Sequence, residues 1–336
     1  MALQTLQTLS LNKLSEVDMK IFSLGEVLVD MLGKQQPDEN GQPQKVFQPF
    51  AGGAPANVAV AVAKLGGQAS LVSKVGEDNF GKFLCKTLKS YNVDTTYVGV
   101  SKGKTALAFV DLDEHGERTF DFYVENAAQK DIQIADTEAV EIDTKSVVHM
   151  CSGSFSTDTL AGSANALIDK ARSSGALLCM DINYRPGFWA NLDGVEQHIA
   201  QAAGKMDIIK ASREELLELY GANDAHAVIE KWLKDGVSLV LVTDGGNPVA
   251  YHTANFDGTF AVPKTQVFDT TAAGDSFIGG VLYQLTSSID NSDAFGAWVS
   301  DFENITRALD FATRCGAITV SRFGAFDALP TSHDMS

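Results

Sequence analysis

Residues 268–280 read FDTTAAGDSFIGG and set a carboxylate beside a bend of small side chains. An extended stretch ends at Asp269. Ala272, Ala273 and Gly274 follow, and a helical pattern then places Phe277, Ile278, Val281, Leu282 and Leu285 on a buried side. Small residues at a helix start let an anion approach the unbonded N–H groups there, where the helix dipole also favours negative charge. Asp275 falls in the first turn of this helix. As a cap it would contribute ~1 kcal/mol of helix stability. As a chemical group it would accept the proton of a hydroxyl held against it. A cap does not require three small residues before it. Gly279 and Gly280 also lie inside the helix, where each costs ~1 kcal/mol relative to Ala unless a neighbour packs closely against it.

A second segment, PFAGGAPANVAVAVAKLGG at 49–67, carries Gly52 and Gly53 just ahead of a helix and Asn57 near its start. Paired glycines allow backbone conformations or a close approach that a side chain forbids. The Asn57 amide offers two donors and an acceptor, which suits a ligand rich in hydroxyls and equally suits a cap or turn. Other chemistries leave no trace. The chain has no G-x-x-x-x-G-K-[ST], no G-x-G-x-x-G after a strand, no H-E-x-x-H and no Cys/His cluster. Its six His are scattered without an obvious catalytic pair.

The elements that would position these residues alternate. Apolar runs at 21–30, 69–75, 147–151, 176–182, 206–210 and 237–243 read as strands, several of them continuously apolar, as for strands covered on both faces. Helical patterns lie between them at 57–65, 159–172, 212–220 and 225–234. This order predicts an α/β fold with a doubly wound, mostly parallel sheet. Two segments break the rhythm, the Gln- and Pro-rich residues 30–50 and a hairpin at 104–125 around Asp113-Glu114-His115-Gly116. Together they predict a small β lid, with segments at about 30–50 and 100–130, inserted into one domain spanning 20–336. The alternating face of the hairpin, with Phe120 and Phe122 on one side and Thr119, Asp121 and Tyr123 on the other, could pack on a partner subunit.

The 336 residues carry a net charge of −17, 26 Lys and Arg against 43 Asp and Glu. Such a surface repels phosphate backbones and anionic lipid, so nucleic acid and membrane surfaces are disfavoured partners. A phosphate site in this chain must be built from backbone N–H groups, a few chosen cations or a metal. The four cysteines, Cys85, Cys151, Cys179 and Cys315, are widely spaced and read as buried hydrophobes of a reducing cytosol. Residues 1–19 lack a basic start, an apolar centre and a cleavage site, which predicts a poorly ordered leader and a cytoplasmic protein.

The two segments, in this order, resemble the two signatures of the PfkB family of carbohydrate and nucleoside kinases, the ribokinase-like family. GEVLVD (25–30), AGGAPANVA (51–59), VSKVGEDNFG (72–81), DINYRPGFW (181–189), KASREEL (210–216), VTDGG (242–246), DTTAAGDSF (269–277) and GAITVSRFGA (316–325) follow in family order. The wording is most similar to fructokinases. The resemblance implies transfer of the γ-phosphoryl of ATP to a primary hydroxyl of a sugar, with Asp275 as the base and the N–H groups of Ala272, Ala273, Gly274 and Asp275 as an anion hole. Ala272 stands where the family usually has Gly. An Asp at its ordinary pKa of ~3.9 is a weak base, but a loose transition state releases the hydroxyl proton late and does not require a strong one. For the sugar the resemblance implies Asp30, Gly52, Gly53, Asn57 and Arg185, and for ATP Ser212, Glu215, Thr243, Gly245 and Thr313.

Glu215 would order Mg2+ through water, and Ser212-x-x-Glu215 is also a capping box; both readings can hold. A K+ site is implied at Asp269, Thr271, Thr319, Arg322 and Gly324, mostly through carbonyl oxygens, and lid-mediated homodimers occur among relatives. The chain departs from the family at Pro248, which replaces the second glycine of T-x-G-x-x-G. It also departs at Val124 and Gln129, where fructokinases often carry the Arg of F-Y-R and the Asp of A-D. Fructose is the expected substrate, with ribose, 2-keto-3-deoxygluconate, tagatose or a nucleoside as alternatives. From other classes, the alternatives are a catalytically silent sugar-binding regulator and a dinucleotide oxidoreductase, the latter disfavoured by the missing glycine fingerprint.

Overall fold

A computed structural model describes residues 19–112 and 118–336. Residues 1–18 of the expected leader and the expected turn Asp113-Glu114-His115-Gly116 lie outside the described residues. Met19, assigned above to the leader, is fully buried in the core.

The strands are β1 (Lys20–Leu24), β2 (Leu28–Pro37), β3 (Pro43–Gly52), β4 (Gln68–Gly76), β5 (Val98–Ser101), β6 (Leu107–Leu112), β7 (Arg118–Tyr123), β8 (Ser146–Cys151), β9 (Leu177–Asp181), β10 (Ile208–Ser212), β11 (Leu239–Asp244), β12 (Asn247–Thr253) and β13 (Asp257–Phe260). Nine of them form one sheet in the order β13-β12-β11-β10-β9-β8-β1-β4-β5, parallel except at the β12 and β13 edge. The other four form a second sheet, β3-β2-β6-β7.

The apolar runs acquire their reason here. Along one strand, alternate side chains enter opposite cores. Ile21, Cys179, Ile208 and Leu241 join one cluster, while Phe22, Met180, Ile209 and Val242 join the other. A strand with helices on both faces needs no polar face, so its sequence is continuously apolar. The run 21–30, expected as one strand, is divided. β1 ends at Leu24, Gly25 turns with φ 145°, and β2 starts at Leu28 in the second sheet. Periodicity could not see this division, because both halves are apolar.

The helix Ala54–Leu65 packs on Ala273–Ser288, which packs in turn on Phe302–Val320. The expected reason for Gly279 and Gly280 is found there. A β-carbon on Gly279 would lie 2.7 Å from the Ala61 Cβ, and one on Gly280 would lie 3.0 Å from the Ala312 Cα. The helical patterns at 212–220 and 225–234 run together as Arg213–Asp235, interrupted at Gly221 with φ 72° and ψ 168°. No helix among the described residues is long and apolar enough to cross a membrane.

Candidate active site

Asp275 lies in the first turn of the helix Ala273–Ser288 and is 6 % exposed. Asn57 Nδ2, from the first turns of Ala54–Leu65, donates to its Oδ2 at 2.7 Å. Asn183 Nδ2, just beyond β9, donates to Oδ1 at 3.3 Å. The two segments that frame the sequence argument, more than 200 residues apart, therefore meet at one carboxylate. The Asn57 Oδ1 is buried and has no hydrogen-bond partner among the described residues.

Asp275 does not keep an ordinary carboxylate pKa. Burial pushes it up to about 6, and Asp181 adds to the rise. The Asn57 hydrogen bond and the charges of Lys210 and Arg185 oppose it. It is a better base than an exposed Asp.

The bend before Asp275 is half-buried at Thr271, Ala272, Ala273 and Gly274. Ala272 adopts φ 59° and ψ 11°, the left-handed conformation that explains why glycine suits this position. Its carbonyl accepts from the Ser276 N–H at 2.8 Å. The N–H groups of Ala272, Gly274 and Asp275 have no acceptor among the described residues, as a helix N-terminus leaves them. The Ala273 N–H, expected beside them, instead donates to the Thr270 carbonyl at 3.3 Å. That bond closes the turn that brings the other amides round.

Asp30 in β2 leans over Gly52 at the end of β3. A β-carbon on Gly52 would overlap the Asp30 Oδ2. At Gly53, φ is 104° and a β-carbon would meet the Glu26 carbonyl oxygen at 2.8 Å. Both glycines are therefore dictated by close approach. Asp30 also lines one cavity with Thr271, Gly324 and Ala325. The Asp269 carboxylate accepts from the Thr271 and Gly324 N–H groups, each at 2.9 Å, and so ties the bend to the chain after Phe302–Val320. Thr319 Oγ1 and Ser276 Oγ form a buried hydroxyl pair at 2.8 Å.

Ser212 and Glu215 form a capping box on Arg213–Asp235. The Glu215 Oε2 accepts from the Ser212 N–H at 2.8 Å, and its Oε1 lies 3.6 Å from Arg185 Nη1. Arg185 thus joins the sugar-side and nucleotide-side candidates. Thr243 Oγ1 donates to the Ala211 carbonyl at 3.4 Å, and Gly245 turns β11 into β12 with φ 54°. Thr313 is buried and bonds its own helix at Asp310, while Arg322 forms a bidentate pair with Asp334. Among the described residues no three His, Cys, Asp or Glu cluster to hold a metal. A monovalent cation beside Asp269 would have to rest on carbonyl oxygens.

Sequence reasoning missed Glu26, Asp181, Asn183 and Lys210, although all four stand in the quoted motifs. Glu26 is buried, accepts from the Ala54 N–H at 3.2 Å, and is pushed by burial up to about 7. Lys210 Nζ sits 3.0 and 3.1 Å from the two oxygens of Asp181, both residues buried. A charged residue inside an apolar strand was the available signal.

Residues 18–332 match the pfkB family carbohydrate kinase. A probable fructokinase-2 of Arabidopsis thaliana is 36% identical over 317 residues, 93% of this chain and 93% of that protein. The crystal structure of a fructokinase with bound ATP from Xylella fastidiosa superposes with a TM-score of 0.86 at 36% identity, covering 95% of this chain and 97% of that one. A fructokinase double mutant from Vibrio cholerae O395, bound to fructose, ADP and a potassium ion, gives 0.82 at 29% identity over 95% and 97%. Fold and site together define a carbohydrate kinase, a phosphotransferase with an alcohol group as acceptor. The chain belongs to the pfkB family.

Proposed function

We propose that this kinase transfers the γ-phosphoryl of ATP to the 6-hydroxyl of fructose, with Asp275 as the base. The bond from the γ-phosphorus to the ADP oxygen breaks, a bond to the sugar oxygen forms, and the hydroxyl proton passes to the Asp275 carboxylate. The N–H groups of Ala272, Gly274 and Asp275 face the charge of the moving group, which suits fixed dipoles. The observation that carries this reading is the doubly held carboxylate of Asp275 beside the partnerless Asn57 Oδ1. One amide positions the base with its nitrogen and leaves its oxygen for the substrate.

Asp30, Gly52, Gly53 and Arg185 complete the sugar side. Ser212, Glu215, Thr243, Gly245 and Thr313 are the nucleotide side. Mg2+ would be ordered by Glu215 through water and would neutralise charge on the phosphates; a carboxylate oxygen is the hard donor that cation prefers. K+ would lie by Asp269, Thr271, Thr319, Arg322 and Gly324. The second sheet acts as a lid and as the contact of a homodimer in the cytoplasm.

A coupled assay of ADP release across a sugar panel with ATP and Mg2+, with and without K+, tests the reading. Fructose-dependent release is the expected outcome, and its absence with every sugar would leave a silent binding protein. Val124, buried where fructokinases often carry Arg, and Gln129, whose buried Oε1 is unpartnered, favour including tagatose, ribose, 2-keto-3-deoxygluconate and a nucleoside in the panel.

A further inference from the structure

A protein of charge −17 has to receive a nucleotide triphosphate, and its buried groups make this harder. Glu26, Asp30, Asp181, Glu215, Asp269 and Asp275 are buried, whereas Lys210 is the single buried Lys or Arg among the described residues. Lys210 lies under the bend. A β-carbon on Gly274 would stand 2.8 Å from its Nζ, so glycine at 274 makes room for an ammonium group. Asp181 holds that ammonium through both carboxylate oxygens. We propose that Lys210, gripped by Asp181, is the fixed cation of the phosphoryl-transfer site, a positioning residue that acts on the charge of the moving phosphoryl group and on Asp275. The inference rests on the kinase reading above.

Burial pulls the Lys210 pKa down, but Asp181, Glu215 and Asp275 outweigh burial and hold it above the usual lysine range. The group is a permanent charge at working pH. A cation fixed before the reaction needs no reorganisation as charge shifts, and in a water-poor site it acts over several ångströms. Asp181 alone would oppose both jobs, because it raises the Asp275 pKa while Lys210 lowers it. The other titratable groups facing Asp275 are Arg185, Glu26 and Cys151, and those facing Lys210 are Glu215, His149, Cys151 and Cys179.

Lys210→Met, Asp181→Asn and the double variant test the proposal beside the wild type. Lys210→Met is expected to lower kcat at least ~100-fold while the sugar KM stays within about 3-fold. It should also move the acid limb of kcat/KM to higher pH. Asp181→Asn should move that limb to lower pH, an opposition that a merely structural pair would not produce. In the double variant neither member of the pair is left as a lone buried charge, which limits the folding defect relative to either single variant. It should bind ADP within about 3-fold of wild type by calorimetry. ADP with aluminium fluoride and fructose, a mimic of the moving phosphoryl group, should bind at least ~10-fold more weakly. A double variant with near-native kcat, or one that loses affinity equally for ADP and for the mimic, overturns the inference. Wild-type protein without sugar-dependent ADP release would sink the kinase reading, and this inference with it.

Discussion

Asp275 is held ionised at neutral pH in a place that favours its protonated form, and two measurements follow. Asp275→Asn keeps an oxygen for Asn57 and removes the base, so kcat is expected to fall by ~10²–10⁴ while the fold and ATP binding persist. In the wild type, kcat/KM should decline as pH falls through about 6, where the carboxylate takes up its proton. The same shift has a stability consequence. A carboxyl whose folded pKa is raised stabilises the fold when protonated, and that contribution is lost as pH rises through about 6. Asp275→Asn should therefore melt higher than wild type at pH 8, by of order 2–3 kcal/mol in stability. The gain should shrink below pH 6 in thermal denaturation followed by circular dichroism. Ala272 offers a second case. Its left-handed backbone strains a residue with a β-carbon, so Ala272→Gly should raise stability by ~0.5–1 kcal/mol in urea denaturation and retain turnover.

At the scale of elements, three helices meet through missing side chains. Gly279 admits Ala61 of the Ala54–Leu65 helix, and Gly280 admits the backbone of Phe302–Val320. Gly279→Ala would ordinarily help a helix by ~1 kcal/mol. Here it should destabilise by ~1–3 kcal/mol, because the added methyl must push apart the helices that carry Asn57 and Asp275. Urea denaturation reads the loss, and a rise in sugar KM would report the displaced Asn57. A stabilised Gly279→Ala protein would show that the contact relaxes freely. Glycine inside a helix pattern announced this contact without naming the partner, since the partner comes from distant stretches of chain.

For the whole molecule, binding and folding are linked. A ligand at 100 times its Kd stabilises the native state by about 2.7 kcal/mol if it does not bind the unfolded chain. Thermal shift across the sugar panel should thus rank substrates independently of turnover, with fructose giving the largest rise. An equal rise for every sugar would remove the claim of selectivity. The alternating apolar runs and the motif order made the parallel sheet and the residues at its ends legible, because strands covered on both faces and glycines in close contacts constrain residue type directly. Asp275, Asn57, Gly52 and Gly53 belong to that legible part. The sequence could not divide residues 21–30 between two sheets, turn the Ala273 N–H toward Thr270, pair Arg322 with Asp334, or set Lys210 and Asp181 beneath Gly274. Those arrangements depend on distances between segments far apart in the chain, and the burial that lifts the Asp275 pKa depends on everything packed around it. Local residue types determine which groups are present; only the packed fold decides which of them share a dry, low-dielectric space and therefore how strongly their charges act.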